Sequence, residues 1–214
     1  MRRPSTENES SLPEVPDAEG EAPVGVQSDP GETFGGDAAG PEAAPSASPY
    51  LRAEALLDQG RYAEAAEAFT SVTASHPDDV RALLGTGASL AALGRYDAAE
   101  KELRRALRLA PDQAEVHLQL GLILFKRGVY ASAAAELRRA VELNPGSAPA
   151  YLVLGEALNQ MAQSDQALEA LENVTRIQPD NAKAYYAMGI AYDRKGRPDR
   201  AAEMYRLSRE VGGR

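Results

Sequence analysis

Four prolines, Pro77, Pro111, Pro145 and Pro179, recur at intervals of 34 residues, and this period constrains the fold more than any other feature of the chain. Gly60, Gly94, Gly128 and Gly196 keep the interval at a second phase, with Ala162 standing where one more glycine is due. Gly87, Gly121, Gly155 and Gly189 keep it at a third, and Tyr62, Tyr96 and Tyr130 follow two residues behind their glycines. Residue types locked to one period at separate phases imply a stack of similar units.

Each unit reads as two helices. Between Val116 and Arg127, Leu118, Leu120, Leu122, Ile123, Leu124 and Phe125 cover more than one face, as in a helix packed between neighbours. Gly128 supplies the turn, because it tolerates positive φ. Ala131 to Leu143 then places Ala133, Leu137, Ala140 and Val141 on one stripe, opposite Arg138, Arg139 and Glu142. Asn144-Pro145-Gly146 ends the second helix, since proline cannot continue it. Pro149 and Pro198 fall where a first helical turn begins and are tolerated there.

These residues resemble the tetratricopeptide repeat. The third unit carries its pattern as His117, Leu120-Gly121, Leu124, Ala133, Leu137, Ala140 and Pro145. The second has Leu83, Gly87, Leu90, Ala99, Leu103, Ala106 and Pro111, with Thr86 where leucine is usual. The fourth has Tyr151, Leu154-Gly155, Leu158, Ala167, Leu171 and Pro179, with Val174 in a slot that is normally small. The fifth has Tyr185, Met188-Gly189, Tyr192, Ala201, Tyr205 and Ser208, and the first matches least, at Ala53, Leu56, Ala65, Phe69 and Pro77. The resemblance covers about three quarters of the chain. It implies an all-α, right-handed solenoid of about five helix-turn-helix repeats over 46–214, divided near 46–79, 80–113, 114–147, 148–181 and 182–214.

The same resemblance implies a concave groove lined by the first helix of each repeat. Its residues would be Leu84 and Ala88, Leu118 and Leu122, Leu152, Val153 and Glu156, then Tyr186 and Ile190, with Phe125, Asn159 and Asp193 one turn further on. The lysine, asparagine and arginine set with which relatives clamp acidic chaperone tails is missing, and Arg81 and Lys183 alone do not rebuild it. An apolar groove suits an amphipathic helix or an apolar-anchored segment. The leucines either contact such a ligand or merely pack between helices. A non-enzymatic scaffold that recruits a protein or peptide client is the expected function; a dedicated chaperone holding a secretion or assembly substrate is the alternative. Arrays of this kind usually end in a polar capping helix, whereas this chain stops at Val211-Gly212-Gly213-Arg214. Met204, Tyr205, Leu207 and Val211 are therefore expected to be partly covered and to offer an end-on surface for self-association or a docked partner, with fraying as the alternative.

Residues 1–45 have another character. They hold seven of the 14 prolines and ten of the 32 acids against two of the 23 bases, so most of the net charge of −9 lies there. Their large apolar residues after Met1 (Leu12, Val15, Val24, Val26 and Phe34) show no helical or strand period, and such a segment is expected to be a disordered acidic tail. Val24-Gly25-Val26 or Phe34 could anchor a short linear motif; a solubilising leader is the plainer reading. The remainder is nearly neutral and has no basic stripe of the kind nucleic acid requires.

No stretch approaches the roughly 18 uninterrupted apolar residues of a membrane span. Met1 to Glu9 lacks the apolar run of a secretory signal, so a cytoplasmic location is expected, and the Ala/Arg-rich, lysine-poor usage suggests a GC-rich bacterial source. With no cysteine, disulfide and thiolate chemistry are excluded. His117 takes a large core slot and His76 a helix end, and neither has a second ligand or base at helical spacing. Glu100 with Glu102, and the pairs Arg104-Arg105 and Arg138-Arg139, read as solvated surface, with Glu102 and Glu136 balancing the arginines. No cofactor, metal or catalytic group is expected.

Overall fold

The computed structural model describes residues 48–213, which form ten α-helices and no strand. They are α1 (Pro49–Asp58), α2 (Tyr62–Ser75), α3 (Val80–Ala92), α4 (Tyr96–Leu109), α5 (Ala114–Lys126), α6 (Tyr130–Leu143), α7 (Ala148–Gln160), α8 (Ser164–Ile177), α9 (Ala182–Arg194) and α10 (Pro198–Gly212). Val24-Gly25-Val26, Phe34 and the rest of the expected tail lie outside the described residues. Asp79, Ser147 and Asn181, spaced by the repeat, cap α3, α7 and α9 by accepting from the backbone N–H three residues on.

Each even-numbered helix packs on the helix before it, and α2, α4, α6 and α8 pack on the one after as well. The odd-numbered helices also approach one another in series, whereas even-numbered neighbours stand further apart and are bridged by long side chains, as Arg138 of α6 bridges to Gln166 of α8. Elements that remain in contact lie on the shorter, inner side of a curved stack. The array is therefore a solenoid whose inner wall is built from α1, α3, α5, α7 and α9.

One turn geometry recurs between the helices of every repeat. At the centre of the array, Gly128 N–H donates to the Phe125 carbonyl and Val129 N–H to the Leu124 carbonyl, both at 2.9 Å. These two bonds make a Schellman closure, which needs a left-handed residue. Gly60, Gly94, Gly128 and Gly196 hold φ between 66° and 78° there, and Ala162 holds 57°. A Cβ in this region costs about 1–2 kcal/mol. Ala162→Gly is accordingly expected to stabilise the fold by about 1 kcal/mol and to raise the thermal midpoint by about 2–4 °C. A calorimetric scan that shows no increase would mean that the Ala162 turn is already relaxed.

The close approach within a repeat is visible at Gly121. A Cβ built there would lie 2.6 Å from Leu137 Cγ, so the leucine of α6 rests on the bare backbone of α5. The first repeat departs from this. Its equivalent position is Ala53, and the fully buried Phe69 ring sits against Gly85 of α3, where an added Cβ would come within 2.5 Å of the ring. Gly85, outside the periodic glycines, thus lets an oversized side chain bridge the first two repeats.

His117 is buried, as its slot requires. Its Nε2 donates to the Pro111 carbonyl at 2.7 Å, and its Nδ1 lies 2.7 Å from the Glu136 carboxylate. Tyr185, two repeats on, reaches the equivalent Pro179 carbonyl through its hydroxyl. His117→Leu, which copies Leu83 of the second repeat, is expected to cost about 1–2 kcal/mol because the Pro111 carbonyl loses its donor and Glu136 loses its ring partner. Urea unfolding checks it, and an unchanged midpoint would show that water replaces both bonds.

Glu100 corrects the surface reading. It is 7% exposed, pairs with Arg104 at 2.7 Å and also binds Arg127, the residue that caps the C-terminus of α5. Arg127 in turn reaches Asp97 at 2.8 Å. Glu136 serves His117 rather than the neighbouring arginines. Arg138 instead donates to Gln166, and Arg139 pairs with Asp112 and Glu142.

Candidate functional site

The residues expected in the groove lie on the inner helices in three parallel rows, each row advancing by 34 residues. The first is Tyr50, Leu84, Leu118, Leu152 and Tyr186. The second is Glu54, Ala88, Leu122, Glu156 and Ile190, and the third is Leu57, Ala91, Phe125, Asn159 and Asp193. Leu84, Leu118, Leu122, Phe125 and Leu152 are half-buried: each packs against the core, and each keeps part of its side chain accessible. Ile190 is half-buried as well, whereas Val153 is buried. The alternatives of ligand contact and interhelical packing therefore meet in the same leucines.

The two ends of the first row differ. Tyr186 is 57% exposed, and its ring lies 5.5 Å from that of Tyr205. The Tyr205 hydroxyl donates to Asp193 at 2.7 Å. Burial, this bond to the Asp193 carboxylate and the negative charge of Asp193 push the Tyr205 phenol up to about 12. At the other end Tyr50 packs edge-on against Phe69, with ring centroids 5.6 Å apart, and carries the Arg81 guanidinium 4.4 Å above its face. Arg81 also pairs with Glu54 at 3.7 Å. These residues line a cavity of about 380 Å³ with Leu57, Leu84 and Ala88. Tyr50 and Glu54 are absent from the sequence-derived groove, although the period places them there: Tyr50 lies 34 residues before Leu84.

Two other expectations change. Asn159 is only 3% exposed, and its Nδ2 donates to the Ala187 carbonyl of α9 at 2.9 Å. Its Oδ1 is buried without a partner among the described residues. Asn159 thus ties two inner helices together rather than facing the groove. Phe125 sits at the rim, its ring held edge-on to Tyr130 of α6 at 5.6 Å.

Glu156 occupies the middle of the second row. It is half-buried and has no ion pair or side-chain hydrogen bond among the described residues. Burial holds its carboxyl above the usual carboxylate range, while the charges of Lys183 and Lys126 pull it back.

At the far end of the array the four expected residues are covered to different extents. Met204 is buried, Leu207 packs on the main core, and Tyr205 lies on the bare face of Gly189. Ser208 Oγ closes the edge by donating to the Ala182 carbonyl at 2.8 Å. Tyr205 and Val211 are half-buried outside the core clusters.

Tetratricopeptide-repeat family models match residues 50–114, 88–148 and 124–177, and a TPR-repeat model matches 163–196. The chain belongs to the tetratricopeptide-repeat family. Among solved structures its array is similar to MamA, with 29% identity over 75% of this chain and 94% of that one and a TM-score of 0.69. It is also similar to YrrB, described as a TPR protein with an unusual peptide-binding site, with 25% identity over 76% and 84% of the two chains and a TM-score of 0.66. No curated protein sequence matches the chain. Among the described residues no helix of the array is long and apolar enough to cross a membrane.

Proposed function

We propose that this chain is a non-catalytic interaction scaffold that holds a segment of a client protein along the inner wall of its tetratricopeptide array. The observation that carries this reading is the row Tyr50, Leu84, Leu118, Leu152 and Tyr186. Large apolar and aromatic side chains recur there at one register, each with accessible surface among the described residues. Aromatic residues at the ends of such a row suit interface anchors, because they bury much area with few rotatable bonds. The spacing of the row along successive helices favours an extended or helical segment over a small molecule.

Site-specific photo-crosslinking tests the location. A benzoylphenylalanine residue placed at Tyr186 or Leu118 is expected to capture a client in a lysate of the source organism. The same group at Ala135 or Glu172, exposed positions on the outer helices, is expected to capture little. Equal yields from both faces, or capture from the outer face alone, would overturn the assignment.

A further inference from the structure

The geometry points to a client segment that carries an arginine or lysine among apolar residues and sets that cation on Glu156. This inference rests on the groove reading and names the chemistry that the groove selects. The comparison that carries it is internal. Glu54 and Glu156 occupy one register of the repeat, as do Arg81 and Lys183. In the first two repeats the pair is closed: Arg81 lies 3.7 Å from Glu54 and stacks on Tyr50. In the last two it is open: among the described residues Lys183 makes no ion pair and Glu156 stays unpartnered. The half-buried Glu156 carboxylate is flanked in its row by Leu122 and Ile190.

A purely apolar ligand crossing this point would strip the remaining water from Glu156 and leave a buried charge without a partner, which is strongly unfavourable. A ligand that brings a guanidinium or ammonium replaces that water with a charge-assisted hydrogen bond. The carboxylate therefore acts as a filter within an otherwise permissive apolar row, rejecting ligands by what they lack. The charged groups acting on Glu156 are Lys183 of α9 and Lys126 of α5. Both are exposed, which leaves them room to move aside for an incoming cation.

The pH dependence has a definite sign. Burial raises the Glu156 carboxyl in the free protein, and a bound cation lowers it again. Affinity is then full above the free-protein value, falls as pH drops through it, and levels off below the value in the complex. Substitution by glutamine removes this dependence. It also removes an uncompensated charge from the free protein, so the thermal midpoint of Glu156→Gln is expected to hold or to rise by about 2 °C.

Panning a random 16-residue peptide display library on the full chain, with parallel rounds on Glu156→Gln and Tyr186→Glu, tests the inference. Peptides recovered on the wild type and lost on Tyr186→Glu are expected to carry an arginine or lysine bracketed by leucine, isoleucine or phenylalanine. Synthetic copies should bind Glu156→Gln at least tenfold more weakly, and replacing their arginine by citrulline should abolish the difference. Groove-dependent peptides that are wholly apolar, or that are acidic and seated on Lys126 and Lys183, would overturn the inference and leave the groove standing. If every recovered peptide binds Tyr186→Glu as well as the wild type, the groove reading itself fails and takes this inference with it.

Discussion

Leu137→Ala is expected to lower the unfolding free energy by about 3 kcal/mol, and its effect should be strongly coupled to Gly121. Leu137 is fully buried at the centre of the array, where no free end allows the cavity to collapse. It also rests on the bare face of Gly121, 2.6 Å from where a Cβ would stand. Gly121→Ala alone sets about 1–3 kcal/mol of overpacking against about 1 kcal/mol of helix propensity gained, and the clash is expected to win. Once Leu137 is truncated, the clash partner is gone. The added methyl then enters the new cavity, and the propensity gain remains. The double variant should therefore be more stable than the sum of the single effects predicts, by about 2 kcal/mol. Urea unfolding followed by far-UV circular dichroism gives all four corners of the cycle. Additivity within about 0.5 kcal/mol would show that Gly121 answers to something other than Leu137. The lesion lies in the third of five repeats, and stability in such arrays is a sum of local and neighbour-interface terms. Its transition should also broaden, as the repeats on either side begin to unfold separately.

How much of this was legible before the structure depends on whether a residue's environment repeats. The Schellman turns, the glycine–leucine contacts and the inner rows all follow from the 34-residue period, because identical units stacked identically put equivalent residues in equivalent places. Tyr50 and Glu54 belong to those rows too, in the repeat that matches the pattern least. Continuing the register from Leu84 and Ala88 by one repeat would have placed both. Glu100 shows the opposite case. Its burial depends on Arg127, and the equivalent positions in the second, fourth and fifth repeats are Leu93, Met161 and Lys195. A contact made once, between residues 27 apart in sequence, leaves no mark on a periodic pattern. Asn159 is of the same kind. Its register points toward the groove, but a hydrogen bond to the Ala187 backbone draws it between α7 and α9, and backbone acceptors are invisible in a sequence. Tyr205, expected to be partly covered, has its ring seated on α9 where Gly189 lacks a side chain.

Tyr186→Glu is expected to weaken client binding by about 30-fold or more while leaving the fold intact, and the choice of this residue matters. Leu84, Leu118 and Leu152 share its register, but each also packs on the core, so truncating them mixes lost affinity with lost stability. Tyr186 is 57% exposed, and its ring contact is with Tyr205. A carboxylate placed there puts a charge where an apolar surface must dock and comes close to Asp193, which the Tyr205 hydroxyl already holds. Tyr186→Phe should bind nearly as well as the wild type if the ring is the anchor, and about tenfold worse if the hydroxyl donates to the client. Tyr62→Glu is the matched control, since Tyr62 is also exposed but lies on the first turn of α2, an outer helix. Anisotropy titrations with the client segment identified by crosslinking should rank the wild type and Tyr62→Glu together and Tyr186→Glu far below them. If Tyr62→Glu weakens binding as much as Tyr186→Glu, the client reads total charge rather than the inner wall. Binding should then fall steeply with salt for every variant, and the scaffold would have to be reassigned to its outer face.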